Sequence, residues 1–323
     1  MANTTYAIEA RGLIKTFGDN KAVDGIDLVV PRGMIYGVLG PNGAGKTTTI
    51  NMLATLMAPD GGSATIFGHD ITHEAHAVRQ LIGVTGQYAS VDEKMSAVEN
   101  LMIFGQLLGL SRSEARTKAD ELLIEFGLTE AARRPLAKFS GGMRRRLDLA
   151  VSLIAQPPLI FLDEPTTGLD PRTRNQMWAT IRRLVKGGSS ILLTTQYLEE
   201  ADQLADRIAV IDKGKVVAEG TPDELKKSIG VATLQLHLSD ETQIEATTAV
   251  IKKVLKIDAQ SPQPGVVTAP MADPDTITDL LVALREQHIR LDEVSVQKPT
   301  LDEVFFALTG KTKAKKVSKG DQK

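Results

Sequence analysis

The chain of 323 residues contains no cysteine and no long apolar segment. The lack of cysteine excludes disulfide bonds, thiol catalysis and cysteine-ligated zinc, and it fits a reducing compartment. No uninterrupted apolar run approaches the roughly 18 residues that a membrane span needs. The N-terminal segment MANTTYAIEA lacks the basic and apolar regions of a signal peptide. These absences predict a soluble, cytoplasmic protein.

The chain also carries almost no net charge, since 38 Lys and Arg residues oppose 40 Asp and Glu residues. The content of 42% hydrophobic and 24% charged residues is typical of a globular chain and excludes a disordered or fibrous one. Excess basic charge occurs in residues 311–323, KTKAKKVSKGDQK, which we expect to form a flexible tail. Without that tail no basic surface is indicated, so no nucleic-acid partner is expected.

Strand and helix patterns alternate along the first two thirds of the chain. Residues 1–30 predict two short strands around a turn at Gly18 to Asn20. Two helices between about 90 and 135 begin with capping boxes at Ser96 and Ser111. Buried-strand patterns occupy residues 34–39, 159–162 and 190–194, and Asp170-Pro171 opens a helix between the last two. The pattern predicts an α/β fold with a parallel sheet and an inserted helical subdomain at about 88–157.

A domain boundary is predicted near residue 228. Beyond it Leu234, Leu236 and Leu238 alternate with polar residues, which indicates a half-buried strand. Helices at about 274–287 and 301–309 are expected on either side of a strand at about 290–297. Residues 229–310 are therefore predicted to form a small accessory α+β domain.

A glycine-rich segment supplies the strongest chemical signal. Residues 40–47, GPNGAGKT, match the pattern G-x-x-x-x-G-K-[ST] between a buried strand and a helix. Such a loop turns backbone N–H groups toward phosphates, and the helix N-terminus adds a positive potential. We expect Lys46 to reach the β- and γ-phosphates and Thr47 to ligate Mg²⁺. The predicted nucleotide-binding residues here are Gly40, Pro41, Asn42, Gly43, Ala44, Gly45, Lys46, Thr47 and Thr48.

The segment LIFLDE at 159–164 supplies two carboxylates at the end of an apolar strand. Asp163 is placed to hold the Mg²⁺ shell, and Glu164 is placed to orient or deprotonate an attacking water. Together with the phosphate loop they predict a phosphoryl-transfer site that suits attack by water better than a small-molecule kinase reaction.

Residues 139–147, FSGGMRRRL, resemble the signature motif of ATP-binding cassette (ABC) proteins, usually written L-S-G-G-Q. The resemblance covers about residues 1–225 and implies a P-loop nucleotide-binding domain over 1–228 that also carries an antiparallel β-subdomain. It further implies that Phe17 stacks on adenine, that Gln87 forms the Q-loop and joins the Mg²⁺ site, and that Asp170 belongs to the D-loop.

The resemblance also implies a homodimer arranged head to tail. Each ATP then lies between the Lys46 loop of one copy and residues Ser140, Gly141 and Gly142 of the other. Two positions depart from the family pattern. Met143 replaces the usual signature glutamine, and Gln196 stands where the family usually has a histidine. A glutamine can donate a hydrogen bond but cannot carry a proton. Our hypothesis is that Gln196 contacts the γ-phosphate and that Glu164 activates the water.

Three sequence features resemble those of the ATPase subunits of daunorubicin/doxorubicin-type drug exporters. They are Gln196, the run MRRR at 143–146, and the C-terminal segment KPTLDEVF at 298–305. The resemblance implies a cytoplasmic ATPase on the inner face of the membrane, bound to a separate polytopic permease that exports a drug-like or amphiphilic compound. An importer ATPase and, less favoured, a soluble ABC mechanoenzyme acting on DNA or ribosomes are the alternatives.

Overall fold

The computed structural model describes residues 5–85, 91–230, 232–271 and 275–308. It divides into two compact units, Met1–Pro222 and Asp223–Lys323. In those described ranges, no helix is both long enough and apolar enough to cross a membrane.

The first unit begins with an antiparallel sheet in the order β2-β1-β4-β5. Its strands are β1 (Tyr6–Phe17), β2 (Asn20–Pro31), β4 (Gly61–Ile66) and β5 (His69–Asp70). The prediction of two short strands is wrong in length, because β1 and β2 each span 12 residues. Register shifts, one of them between Ala10 and Leu13, let these long strands keep a buried face.

A six-stranded sheet in the order β10-β9-β3-β8-β7-β6 forms the centre of the first unit. Its strands are β3 (Ile35–Leu39), β6 (Ile82–Thr85), β7 (Leu159–Asp163), β8 (Ser190–Thr195), β9 (Arg207–Asp212) and β10 (Lys215–Gly220). All pairs are parallel except β9 with β10. Every residue of β3, β7 and β8 is buried, as expected for parallel strands covered on both faces.

The helices of this unit are α1 (Lys46–Leu53), α2 (Ala75–Leu81), α3 (Ala97–Leu107), α4 (Arg112–Glu125), α5 (Gly141–Ser152), α6 (Pro171–Lys186) and α7 (Leu198–Leu204). Helices α3 to α5 lie between β6 and β7 in the chain. Both predicted capping boxes are confirmed, with Ser96 paired to Glu99 and Ser111 paired to Glu114. Asp170 caps α6 with Pro171 in its first turn, also as predicted.

Short helix α8 (Pro222–Lys227) leads into the second unit, which contains β11 (Ala232–Leu238), α9 (Ile244–Leu255), β12 (Gln260–Gln263), β13 (Val266–Met271), α10 (Thr276–Glu286), β14 (Leu291–Gln297) and a helix at 301–308, here α11. The strands form an antiparallel sheet in the order β12-β13-β11-β14. Leu234, Leu236 and Leu238 are buried in its core, which confirms the alternation. The predicted tail at 311–323 lies outside the described residues.

Three elements of this unit, α9, β12 and β13, were not predicted. Helix α9 is rich in β-branched residues, which lowers its helical signal. Strand β12 has the polar sequence QSPQ and all four of its residues are exposed. Pairing with the buried strand β13 determines its conformation, and local sequence does not report that pairing.

Candidate active site

A tight loop joins β3 to α1, and two of its glycines are required by close backbone contacts. A Cβ atom at Gly40 would lie 2.4 Å from the carbonyl oxygen of Ile211, and one at Gly45 would lie 2.3 Å from the carbonyl oxygen of Ala22. Gly45 also has a φ angle of 105°, which other residues rarely adopt. Both ends of the glycine pattern are therefore held against neighbouring backbone.

The remaining loop residues form an open rim around the start of α1. Asn42, Gly43 and Thr47 are exposed, Pro41 and Thr48 are half-buried, and Ala44 is buried. The first N–H groups of a helix have no acceptor within it, so the start of α1 can donate to an anion.

The side chain of Lys46 is buried, and its charge is satisfied inside the loop. The ammonium nitrogen donates to the carbonyl oxygens of Gly40 at 2.8 Å and Pro41 at 3.1 Å. It also lies 3.5 Å from Oε1 of Glu164. A buried ammonium without such partners would be costly. A phosphate entering the loop would compete with these oxygens for the same charge.

Asp163 ends strand β7 beside this loop. Its Oδ2 accepts a hydrogen bond from the hydroxyl of Thr47 at 2.9 Å, and its Oδ1 accepts one from the hydroxyl of Thr194. A carboxylate and a hydroxyl are the oxygen ligands that suit Mg²⁺. The structure thus brings together two of the three predicted Mg²⁺ ligands. The third, Gln87, lies outside the described residues.

Glu164 follows with a left-handed backbone, at a φ angle of 48°. Its N–H donates to the carbonyl oxygen of Thr194 at 3.1 Å, and its Oε2 accepts from the hydroxyl of Thr167 at 3.1 Å. The two adjacent acidic residues therefore point to different partners. Asp163 contacts Thr47 and Thr194, whereas Glu164 faces Lys46 and Thr167.

Gln196 immediately follows β8, whose last residue Thr195 pairs with Leu39 at the end of β3. The N–H of Gly40 donates to the carbonyl oxygen of Thr195 at 3.4 Å, so Gln196 begins beside the phosphate loop. Phe17 ends β1 opposite Asn20 and is 47% exposed. That hairpin leads to Ala22, the residue against Gly45. The structure therefore places Gln196 beside the loop, and it places Phe17 in the hairpin whose second strand contacts Gly45.

Ser140 caps helix α5. Its hydroxyl accepts a hydrogen bond from the N–H of Met143 at 3.3 Å, and both Ser140 and Gly141 are exposed. A Cβ atom at Gly142 would lie 2.8 Å from Cγ2 of Thr173, which in turn donates to Asp170. The signature segment thus presents an open helix start packed beside the predicted D-loop.

Sequence reasoning missed Glu200 in helix α7. Its carboxylate is 1% exposed and accepts hydrogen bonds from the hydroxyl of Thr166 at 2.8 Å and the indole nitrogen of Trp178 at 3.2 Å. Burial raises the pKa of Glu200, opposed by hydrogen bonds from Thr195 and Thr166. The sequence around Glu200, four residues after Gln196, contains no local signal that its side chain is buried.

The parallel sheet, the phosphate loop and the paired carboxylates define a P-loop nucleoside triphosphatase. A family model described as ABC transporter matches residues 23–167. A second model, the C-terminal domain of DrrA1-3-like ATP-binding proteins, matches residues 220–309. The chain belongs to the ATP-binding proteins of ABC transporters, with a C-terminal domain of the DrrA1-3-like type, and it is an ATPase.

Relatives and solved structures agree with this assignment. The chain is 53% identical over 307 residues to the daunorubicin/doxorubicin resistance ATP-binding protein DrrA of Streptomyces peucetius, covering 95% of this chain and 93% of the relative. It is 35% identical to the linearmycin resistance ATP-binding protein LnrL of Bacillus subtilis, covering 94% and 99%. An ATP-binding subunit of an ABC transporter superposes with a TM-score of 0.63 at 28% identity, covering 69% of this chain and 93% of that one.

The raised pKa of Glu200 predicts a pH-dependent stability. A carboxyl whose pKa is higher in the folded state favours folding at acid pH, and this contribution is lost as the pH rises through the folded-state pKa. Glu200→Gln keeps an oxygen acceptor for Thr166 and Trp178 but does not titrate. We expect the melting temperature of the wild type, relative to this variant, to fall as the pH rises from about 5 to about 8.

Glu199→Gln is the matched control, because Glu199 is exposed and the charge change is the same. The melting temperatures of all three proteins are measured across this pH range. The prediction is contradicted if the difference from the wild type depends on pH in the same way for both variants.

Proposed function

We propose that the chain is the ATP-hydrolysing subunit of an ABC exporter, acting as a homodimer on a separate membrane permease. The observation that carries the proposal is the convergence of Lys46, Thr47, Asp163 and Glu164 where β3 and β7 end. These are the groups needed to bind a polyphosphate and to direct water at its terminal phosphorus.

The phosphates are bound by the loop from Gly40 to Thr48. Backbone N–H groups at the start of α1 donate to the phosphate oxygens. The Lys46 ammonium exchanges its contacts with the loop carbonyls for contacts with the β- and γ-phosphates. Phe17, exposed at the end of the hairpin, stacks on adenine. This binding orients the γ-phosphate toward Glu164.

Thr47, Asp163 and Gln87 would hold Mg²⁺, which would neutralise part of the phosphate charge. The fit rests on the two oxygen atoms of Thr47 and Asp163, which lie 2.9 Å apart and face each other. The hydrogen bond from Thr194 keeps the Asp163 carboxylate in this orientation.

Glu164 orients the attacking water and accepts its proton. Its carboxylate is largely buried and lies 3.5 Å from the Lys46 ammonium, which places a proton acceptor beside a phosphate-binding cation. Gln196 donates a side-chain hydrogen bond to the γ-phosphate, since a neutral amide can act there only as a donor. The two residues therefore have separate roles.

The second half of each site comes from another copy of the chain. Ser140 and Gly141 are exposed and Gly142 is half-buried at the start of α5, which offers N–H groups to an anion, and Asp170 lies beside them. In the homodimer this helix start contacts the γ-phosphate of the nucleotide bound to the other copy's Lys46.

The names of the relatives support export as the direction of transport. The relatives in S. peucetius and B. subtilis are resistance proteins for daunorubicin/doxorubicin and linearmycin, and a doxorubicin resistance ATP-binding protein of Mycobacterium tuberculosis is 45% identical over 317 residues. The cargo is accordingly a drug-like or amphiphilic compound, and the chain works in the cytoplasm on the inner face of the membrane. The importer and mechanoenzyme alternatives have no such support.

Glu164→Gln and Gln196→Ala separate the two catalytic roles. The first variant retains the size of the side chain but loses the proton acceptor. It should lower kcat by about 10² to 10⁴-fold with ATP affinity retained. Gln196→Ala should weaken the discrimination between ATP and ADP, and it should slow turnover less than Glu164→Gln does. Steady-state hydrolysis and fluorescent-nucleotide binding measure both effects.

Wild-type hydrolysis by Glu164→Gln would refute the assignment of the proton acceptor. An unchanged rate and KM in Gln196→Ala would refute the γ-phosphate contact. Ile124→Leu, a conservative change at an exposed position of helix α4, is a control that should change neither the hydrolysis rate nor KM.

Recovery of a membrane partner tests the transport proposal. The chain is tagged in its native cells, crosslinked and purified from solubilised membranes. We expect a polytopic membrane protein at about equimolar amount. Recovery of ribosomal proteins or DNA, with the chain confined to the soluble fraction, would refute transport but not ATP hydrolysis.

A further inference from the structure

Arg145 on helix α5 contacts the backbone that carries the two acidic residues. Its Nη2 donates to the carbonyl oxygens of Asp163 at 2.6 Å and Glu164 at 3.1 Å, and its Nε donates to the carbonyl oxygen of Pro165 at 3.1 Å. One guanidinium group therefore holds three consecutive peptide groups after strand β7. Burial lowers the pKa of Arg145, with nearby carboxylates, first among them Asp148, opposing the shift.

These contacts act at Glu164, where the backbone conformation is unfavourable. Glu164 has a φ angle of 48°, and a left-handed non-glycine residue costs about 1 to 3 kcal/mol. Thr194 fixes the N–H side of Glu164, and Arg145 fixes the carbonyls on both sides of its Cα atom. Since the next residue is Pro165, the following peptide group has no N–H to anchor it.

The geometry of the guanidinium matters as well as its charge. A planar fork can donate to several acceptors at fixed angles, whereas an ammonium acts as a point charge on a flexible stem. Lysine at 145 would keep the charge but could not hold all three carbonyl oxygens in the same geometry.

We propose that Arg145 is a positioning residue for Glu164, holding its backbone so that the carboxylate is aimed at the attacking water. The proposal rests on the role of Glu164 proposed above. In these three contacts Arg145 donates to backbone carbonyl oxygens, so its effect on the carboxylate is transmitted through the backbone of Glu164.

Arg145→Lys is the first test. Misplacement of a reacting group by about 1 Å can cost about 10²-fold in rate, so we expect kcat to fall by roughly that factor while the affinity for a fluorescent ATP analogue stays at the wild-type value. The control is Arg116→Lys on helix α4. Arg116 is exposed and pairs with Asp120 at 2.9 Å, and this variant should hydrolyse ATP at the wild-type rate.

The double variant with Glu164→Gln identifies the route of the effect. If Arg145 acts through Glu164, adding Arg145→Lys to Glu164→Gln should lower the residual rate no further. Should Arg145→Lys fail to fold, as judged by its melting curve, Arg145→Gln, which keeps one amide donor for the same carbonyls, provides the same comparison.

Three outcomes would overturn the inference. They are a wild-type kcat in Arg145→Lys, parallel losses of kcat and nucleotide affinity, and a full additional loss of rate in the double variant. If the wild type hydrolyses ATP, Glu164→Gln does not, and Arg145→Lys is unimpaired, only the inference fails. If Glu164→Gln is fully active, the proposed role of Glu164 fails first.

Discussion

The positive charge of Lys46 is the constraint on which the site depends. It is buried at the start of α1, where two carbonyl oxygens and the carboxylate of Glu164 stabilise it. The same arrangement prepares the loop for a polyphosphate, because an anion can replace those partners without exposing the ammonium to an apolar surrounding. Gly40 and Gly45 make the arrangement possible, since a side chain at either position would strike the neighbouring backbone. The carboxyl ends of β3, β7 and β8 then bring the remaining polar groups to the same edge of the sheet.

A second constraint is the backbone at Asp163 and Glu164. Two adjacent acidic residues serve different purposes only if the chain turns sharply between them, and the left-handed conformation of Glu164 provides that turn. Thr194 on β8 accepts from the N–H of Glu164, and Arg145 on α5 donates to the carbonyl oxygen of Asp163, so both stabilise the turn. Ser140 caps helix α5 and precedes Arg145 by five residues, or about 7.5 Å along the axis. One rigid helix therefore joins the exposed signature segment to the backbone of the proposed proton acceptor.

The features that sequence predicted are those with a complete local signal. The loop from Gly40 to Thr47, the buried strand before Asp163 and the caps at Ser96 and Ser111 depend on neighbours within a few residues. Thr194, Arg145 and Glu200 could not be found in this way, because their hydrogen bonds to Glu164, Asp163 and Thr166 join residues 18 to 34 positions apart in the chain. Strand β12 was missed for a related reason, since its pairing with β13 overrides a polar local sequence. The length of β1 and β2 escaped prediction because register shifts break the alternation that marks a strand.

The central claim is that each ATP is hydrolysed between the Lys46 loop of one copy and the signature segment of another. Mixing two inactive variants tests it most directly. Lys46→Ala removes the phosphate cation, and Gly141→Asp places a negative charge at the signature, where a Cβ atom meets nothing within 4 Å. Neither variant should hydrolyse ATP alone, but their mixture should regain activity, because a heterodimer contains one site with both parts intact. A mixture no more active than the sum of its two components would contradict the account.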